Sequence, residues 1–190
     1  GYDRIFKSEV IVDLLRVIGC GVEVKTKRKE DMVPFDMANL KWAKIIICTD
    51  ADEDGFQIRT LLLTLFYRLL PSLINAGRIY IAESPLFEIT PQKGETLFAY
   101  NEPEKAKIVR ELEEKGMRYT LQRSKGLGEN EPEMMSKTTM DPATRRLIRI
   151  TPADAAATAR IFETLLGDDL PARKQFIRDN GARYMANADI

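Results

Sequence analysis

Apolar side chains recur at helical spacing from Val10 to Ile18, behind Ser8 as N-cap and ahead of Gly19 or Gly21 as the stop. This predicts an amphipathic helix over 8–18. Lys25, Lys27, Arg28 and Lys29 follow as a basic run flanked by acids and read as a solvated loop. Asp36 caps a short predicted helix through Leu40. The period then changes. Ile45 to Cys48 are continuously apolar, as in a strand covered on both faces of a parallel sheet, and we place a strand at 43–48. From Phe56 the spacing is helical again, with Ile58, Leu61, Leu62, Leu65, Phe66 and Leu69 on one broad face expected to be buried. Pro71 ends or kinks that helix, and Gly77 stops the chain before a strand over 78–82. Strand, helix and strand in that order imply a right-handed β–α–β crossover.

From Pro91 the pattern shortens. Strands near 86–90 and 96–100 flank a Pro-Gln-Lys-Gly turn, as in a hairpin. Residues 102–115 predict a charged surface helix and 117–122 a strand. Residues 154–166 and 171–187 predict helices with alanine-rich and apolar faces. No internal repeat is present.

Composition narrows the chemistry. The 190 residues, 44% of them hydrophobic, suffice for one large domain or two small ones with a core. Formal net charge is zero, so any nucleic-acid contact must come from a local basic patch. Arg145, Arg146 and Arg149 form one such cluster. There is no histidine, which removes imidazole acid–base chemistry, Ser-His-Asp triads and the usual zinc sites. Cys20 and Cys48 read as buried free thiols, in keeping with a reducing cytoplasm. No apolar run is long enough to span a bilayer.

The candidate chemistry sits where the apolar strand ends. Asp50-Ala51-Asp52-Glu53-Asp54-Gly55 places four carboxylates within five residues, ahead of a long helix. Carboxylates this close repel one another unless a cation lies between them. Such a run is otherwise a solvated helix cap. Hard oxygens select Mg²⁺ or Ca²⁺. A calcium loop counted from Asp50 needs a glutamate at its twelfth position, where Leu61 stands, and needs a helix before it instead of a strand. That reading fails, and a strand-end Mg²⁺ site remains. Asp50 and Asp52 fit it by position. Asp54 is the weaker candidate, a helper to the other two or the N-cap of the next helix.

Residues 49–68, Thr-Asp-Ala-Asp-Glu-Asp-Gly-Phe-Gln-Ile-Arg-Thr-Leu-Leu-Leu-Thr-Leu-Phe-Tyr-Arg, resemble the second acidic motif of the Toprim domain in type IIA topoisomerase B subunits. Residues 122–129, Gln-Arg-Ser-Lys-Gly-Leu-Gly-Glu, resemble that family's second signature, and 139–146 and 167–173 its tail. The resemblance implies an α/β fold: a Toprim domain over 1–90 (a Rossmann-like parallel sheet without its first strand), a hairpin and surface helix over 91–117, and a mixed α+β tail over 118–190. It implies metal ligation by Asp50 and Asp52, with Asp50 shared between two metal positions. Mg²⁺ is the implied cofactor, replaceable in binding by Mn²⁺ or Ca²⁺. Lys125, and less strongly Arg123, are implied DNA-phosphate contacts beside flexible glycines.

The family's upstream Glu-Gly-Asp-Ser motif does not occur here, so the chain reads as starting inside the domain, unable alone to cleave DNA or bind Mg²⁺ tightly. ATP would bind only in a domain outside this sequence. The implied partners are DNA and an A subunit that supplies the breakage tyrosine, in an A2B2 heterotetramer in the cytoplasm. Gln57 stands where the family usually has histidine, and Glu53 where it often has a small or apolar residue. Met117-Arg118-Tyr119-Thr120 imitates the context of the breakage tyrosine, but its place in a strand argues for packing. Two other readings stay open: a Toprim-type primase or nuclease, and a docking module without chemistry of its own. The signature at 122–129 speaks against the first of these.

Overall fold

The computed structural model describes residues 2–24, 33–124, 126–152 and 155–184. The basic run at Lys25 to Lys29 and the candidate Lys125 lie outside them. The helices, in chain order, are α1 (Tyr2–Ile5), α2 (Glu9–Ile18), α3 (Glu53–Leu69), α4 (Pro71–Asn75), α5 (Glu102–Glu114), α6 (Pro132–Met135), α7 (Ala155–Leu166) and α8 (Leu170–Tyr184). The strands are β1 (Ile45–Ile47), β2 (Ile79–Ala82), β3 (Phe87–Pro91), β4 (Leu97–Ala99), β5 (Tyr119–Arg123) and β6 (Leu147–Arg149). This is an α/β architecture on two small sheets.

Sequence dictates most boundaries through identifiable devices. Ser8 precedes α2 without a side-chain cap bond, and Gly19, at φ 87°, ends it. Asp36 accepts a hydrogen bond from Ala38 N–H and starts a 3₁₀ turn over Met37–Asn39. Pro71 lies in the first turn of α4, where its missing N–H costs nothing, so the chain breaks between α3 and α4 at Leu70. Gly77, at φ 62°, turns the chain into β2.

The first sheet has the order β1-β2-β6. β1 and β2 run parallel, with Ile46 opposite Tyr80, and α3 and α4 connect them. This is the predicted β–α–β unit. β6 closes the other side of β2 in antiparallel fashion, with Ile81 opposite Ile148. Its pairing returns the chain from beyond residue 140 to the first sheet. The core under this sheet holds Phe66, Leu69, Leu70, Leu73 and Ile79, each nearly or fully buried. The second sheet, β4-β3-β5, is antiparallel throughout, and the predicted hairpin is its β3–β4 half. Phe87 and Ile89 alternate inward from β3 onto Leu112 of α5.

Two expectations from the pattern are corrected. Ile58 and Leu61 are 53% and 54% exposed, although their spacing put them on the buried face of α3. Their helix outruns the three-residue strand it packs on, so only its second half lies over the core. Cys20 is buried but Cys48 is exposed, although both are free thiols as expected. Cys48 sits one residue past β1, where the sheet no longer covers it.

The structure also ties the sheets together through Arg146. Its carbonyl accepts from Glu83 N–H at 3.0 Å, just past β2. Its guanidinium bonds Glu104 of α5 at 2.8 Å and lies 3.9 Å from the Tyr100 ring centroid. Arg145 instead bonds the Met140 carbonyl.

Candidate metal centre at the sheet rim

β1 ends at Ile47, and the next three residues cross the carboxyl rim of the parallel strands. Thr49 is buried there, and its carbonyl accepts from Ser84 Oγ at 3.3 Å, which joins the ends of β1 and β2. Asp50 follows, half-buried. Asp52 then caps α3: its Oδ1 accepts the Gly55 N–H at 2.7 Å. The cap is therefore Asp52, not Asp54. Asp54 is exposed in the first turn of α3.

Gly55 is required by proximity. A Cβ there would stand 2.0 Å from the Asp50 carbonyl oxygen, because the first turn of α3 crosses directly over Asp50. No side chain longer than hydrogen fits.

The second glycine signature arrives at the same place. Leu127 N–H donates to Asp50 Oδ1 at 2.8 Å, across 77 positions of sequence. Leu127–Glu129 forms a single 3₁₀ turn behind Gly126. The acidic run and the Gly-Leu-Gly run, separate in sequence, thus share one contact. Sequence reasoning missed Leu127 because its backbone, not its side chain, makes the bond.

Arg59, one helical turn beyond Gly55, reaches back to the rim. Its Nη2 lies 3.4 Å from Thr49 Oγ1, and its guanidinium rests over the Phe56 ring. Burial draws its proton affinity down, with the Cys48 and Glu83 side chains acting the other way. Its Nε is buried and finds no hydrogen-bond partner among the described residues. Arg123 is exposed at the end of β5, and Gln57 is exposed on α3. Tyr119 donates its hydroxyl to Glu113 at 3.2 Å, and partial desolvation together with Glu113 pushes the phenol up. That is the reverse of what a nucleophile needs.

Among the described residues no group of three or more Asp, Glu, Cys or His side chains forms a ready-made cage. What is present fits a sparser demand. Asp50 and Asp52 each commit one oxygen to a backbone N–H, and the other accepts no hydrogen bond among the described residues. Mg²⁺ keeps several waters and takes only one or two protein carboxylates, a smaller demand than such a cage.

A parallel β–α–β rim with acids just past the first strand is the layout of a Toprim domain, and residues 5–84 match the Toprim domain family. Residues 116–178 match the family described as DNA gyrase B subunit, carboxyl terminus. The chain is 41% identical over 189 residues to the DNA gyrase B subunit of Metamycoplasma hominis, covering 100% of this chain and 27% of that protein. It is 45% identical over 175 residues to the DNA gyrase B subunit of Thermotoga maritima, covering 92% of this chain and 26% of that protein. The corresponding protein of Haloferax volcanii is 43% identical over 178 residues, with 94% and 26% covered. The chain thus spans about a quarter of the length of these relatives. It belongs to the type II topoisomerase B-subunit family, of which it carries the Toprim and carboxyl-terminal regions. Toprim domains are metal-binding domains as a class. No helix among the described residues is long and apolar enough to cross a membrane.

Proposed function

We propose that this chain is the metal-holding part of an ATP-dependent type IIA DNA topoisomerase. In this reading Asp50 and Asp52 hold Mg²⁺, with Asp54 a weaker third carboxylate and Mn²⁺ or Ca²⁺ able to replace Mg²⁺ in binding. Bound between these acids and a DNA phosphate, the ion would offset charge on the phosphate oxygens while a strand is broken and rejoined. The chain's own residues prepare that event. Gly55 lets the first turn of α3 close over Asp50, and Asp52 divides its carboxylate between the helix cap and the site. Lys125, and less strongly Arg123, serve as the contacts to DNA phosphate. The attacking tyrosine comes from an A subunit in an A2B2 assembly, ATP is bound by another domain, and the enzyme works in the cytoplasm, which suits two free thiols.

The observation that carries this reading is the bond between Leu127 N–H and Asp50, which unites the acidic run and the glycine signature at the carboxyl rim of a parallel sheet. Ligands of open α/β sheets gather at that rim. Its test is plasmid cleavage and supercoiling by the complete B subunit assembled with its A subunit. Asp50→Asn and Asp52→Asn should each abolish divalent-dependent DNA cleavage while DNA-independent assembly survives. Retained cleavage in both variants would end the proposal. Supercoiling against decatenation by the same assembly distinguishes a gyrase-type from a topoisomerase IV-type enzyme.

A further inference from the structure

The turn at 126–129 does more than lie near Asp50. Leu127 N–H donates to Asp50 Oδ1 at 2.8 Å, and the contact is crowded as well as polar. A Cβ on Gly126 would stand 3.3 Å from Asp50 Oδ2 and 3.5 Å from its Cγ. Yet Gly126 has φ −140° and ψ 161°, extended backbone that any residue adopts. The turn itself does not require glycine; a Cβ there would press on the Asp50 carboxylate, which would have to shift by a few tenths of an ångström. We propose that the Gly126–Leu127 backbone is a positioning device for Asp50, holding its carboxylate in the rotamer from which Oδ2 meets a divalent cation. This rests on the reading of Asp50 as a cation ligand.

The physical reason is preorganisation. Asp50 lies beyond the end of a short strand, and its side chain has two torsions to lose when it binds. A carboxylate already fixed by a donor has lost them before the cation arrives. A backbone N–H suits the task, because it neither titrates at neutral pH nor changes rotamer. It also leaves Oδ2 without a hydrogen bond among the described residues. The alternative arrangement has the opposite sign: if the cation displaced Leu127 from Oδ1, the turn would be a cover and its removal would tighten binding.

Leu127→Pro separates the two. It deletes the N–H at the first position of a helical turn, where proline is tolerated. The residue before it is already extended, as proline demands. Leu127→Ala keeps the N–H and removes the side chain. Gly126→Ala keeps both and crowds Asp50, so it carries the test should the proline variant fail to fold. Mn²⁺ binding to this chain is followed by electron paramagnetic resonance titration, alongside thermal melting. L127P and G126A should bind Mn²⁺ about ten-fold more weakly than wild type, and L127A within about two-fold. Exchange of the Leu127 amide should be slow in wild type and fast in D50A. L127P binding as tightly as wild type, or more tightly, overturns the proposal. If D50N binds Mn²⁺ as wild type does, the ligand reading of Asp50 fails and the proposal with it. If D50N loses binding and L127P does not, only the positioning role fails.

Discussion

Replacing Gly55 with alanine should unseat the acidic turn while leaving each of its polar groups in place. The new Cβ would stand 2.0 Å from the Asp50 carbonyl oxygen, 2.7 Å from the carbonyl carbon and 3.0 Å from the nitrogen. All three atoms are backbone, so no side chain can swing aside. Ordinary contact begins near ~3.5 Å, and the first turn of α3 must therefore retreat by more than about 1 Å. That retreat stretches the Gly55 N–H bond to Asp52 Oδ1, now 2.7 Å. Losing a cap costs about 1 kcal/mol, and forced backbone movement adds ~1–3 kcal/mol. In a chain of this length each kcal/mol lowers Tm by roughly 2–4 °C, so the drop is on the order of 10 °C. Melting followed by circular dichroism measures it. Gly128→Ala is the control, since among the described residues a Cβ there meets nothing within 4 Å, and it should stay within about 0.5 kcal/mol of wild type. If G55A melts within a degree or two of G128A, the crossing at Asp50 does not require the glycine and the reasoning is wrong.

Asp52 joins two roles that substitution can part. D52A should lose about 1 kcal/mol of stability with the cap, whereas D52N keeps a capping oxygen and should lose only Mn²⁺ binding; equal melting of the two variants would show that the cap contributes nothing. Along α3, L69A should cost ~2–5 kcal/mol because Leu69 is 1% exposed. I58A, at 53% exposure, should stay within about 0.5 kcal/mol; urea titration of both decides whether the helical spacing or the short strand sets burial. Arg146→Ala removes the half-exposed bond to Glu104 and the contact over Tyr100, worth together about 1–2 kcal/mol after solvent screening. The Arg146 hydrogen bond holds the Glu104 carboxyl below its ordinary range. Its folded value lies below its unfolded one, so the stability it supplies is present above the usual carboxylate range and is lost as pH falls through the folded value. R146A should therefore flatten the acid limb of a stability–pH curve below about pH 4.5, and an unchanged limb would remove Glu104 from the account.

Much of the molecule could be read along the chain. The β–α–β unit followed from one continuous apolar run, one helical run and the breaks at Pro71 and Gly77, because strand and helix periods are local properties of the backbone. The hairpin, the surface helix and the caps at Asp36 and Gly19 followed for the same reason. Asp50 and Asp52 were visible as candidates from type and position alone. Cation binding by the D50N and D52N variants decides whether both are ligands.

Three things were decided only in the folded chain. β6 pairs with β2 from far downstream, and no local pattern in Leu147–Arg149 names its neighbour. The exposure of Ile58 and Leu61 depends on how far α3 extends beyond β1, a length that belongs to the pair and not to either element. The Leu127 bond to Asp50 is made by a main-chain N–H, a group every residue but proline carries, so composition gives it no signature. Sequence settles which side chains are available and which local shape each stretch prefers. Distance between remote segments, and the hydrogen bonds that distance permits, arise only when the hydrophobic faces have closed on one another.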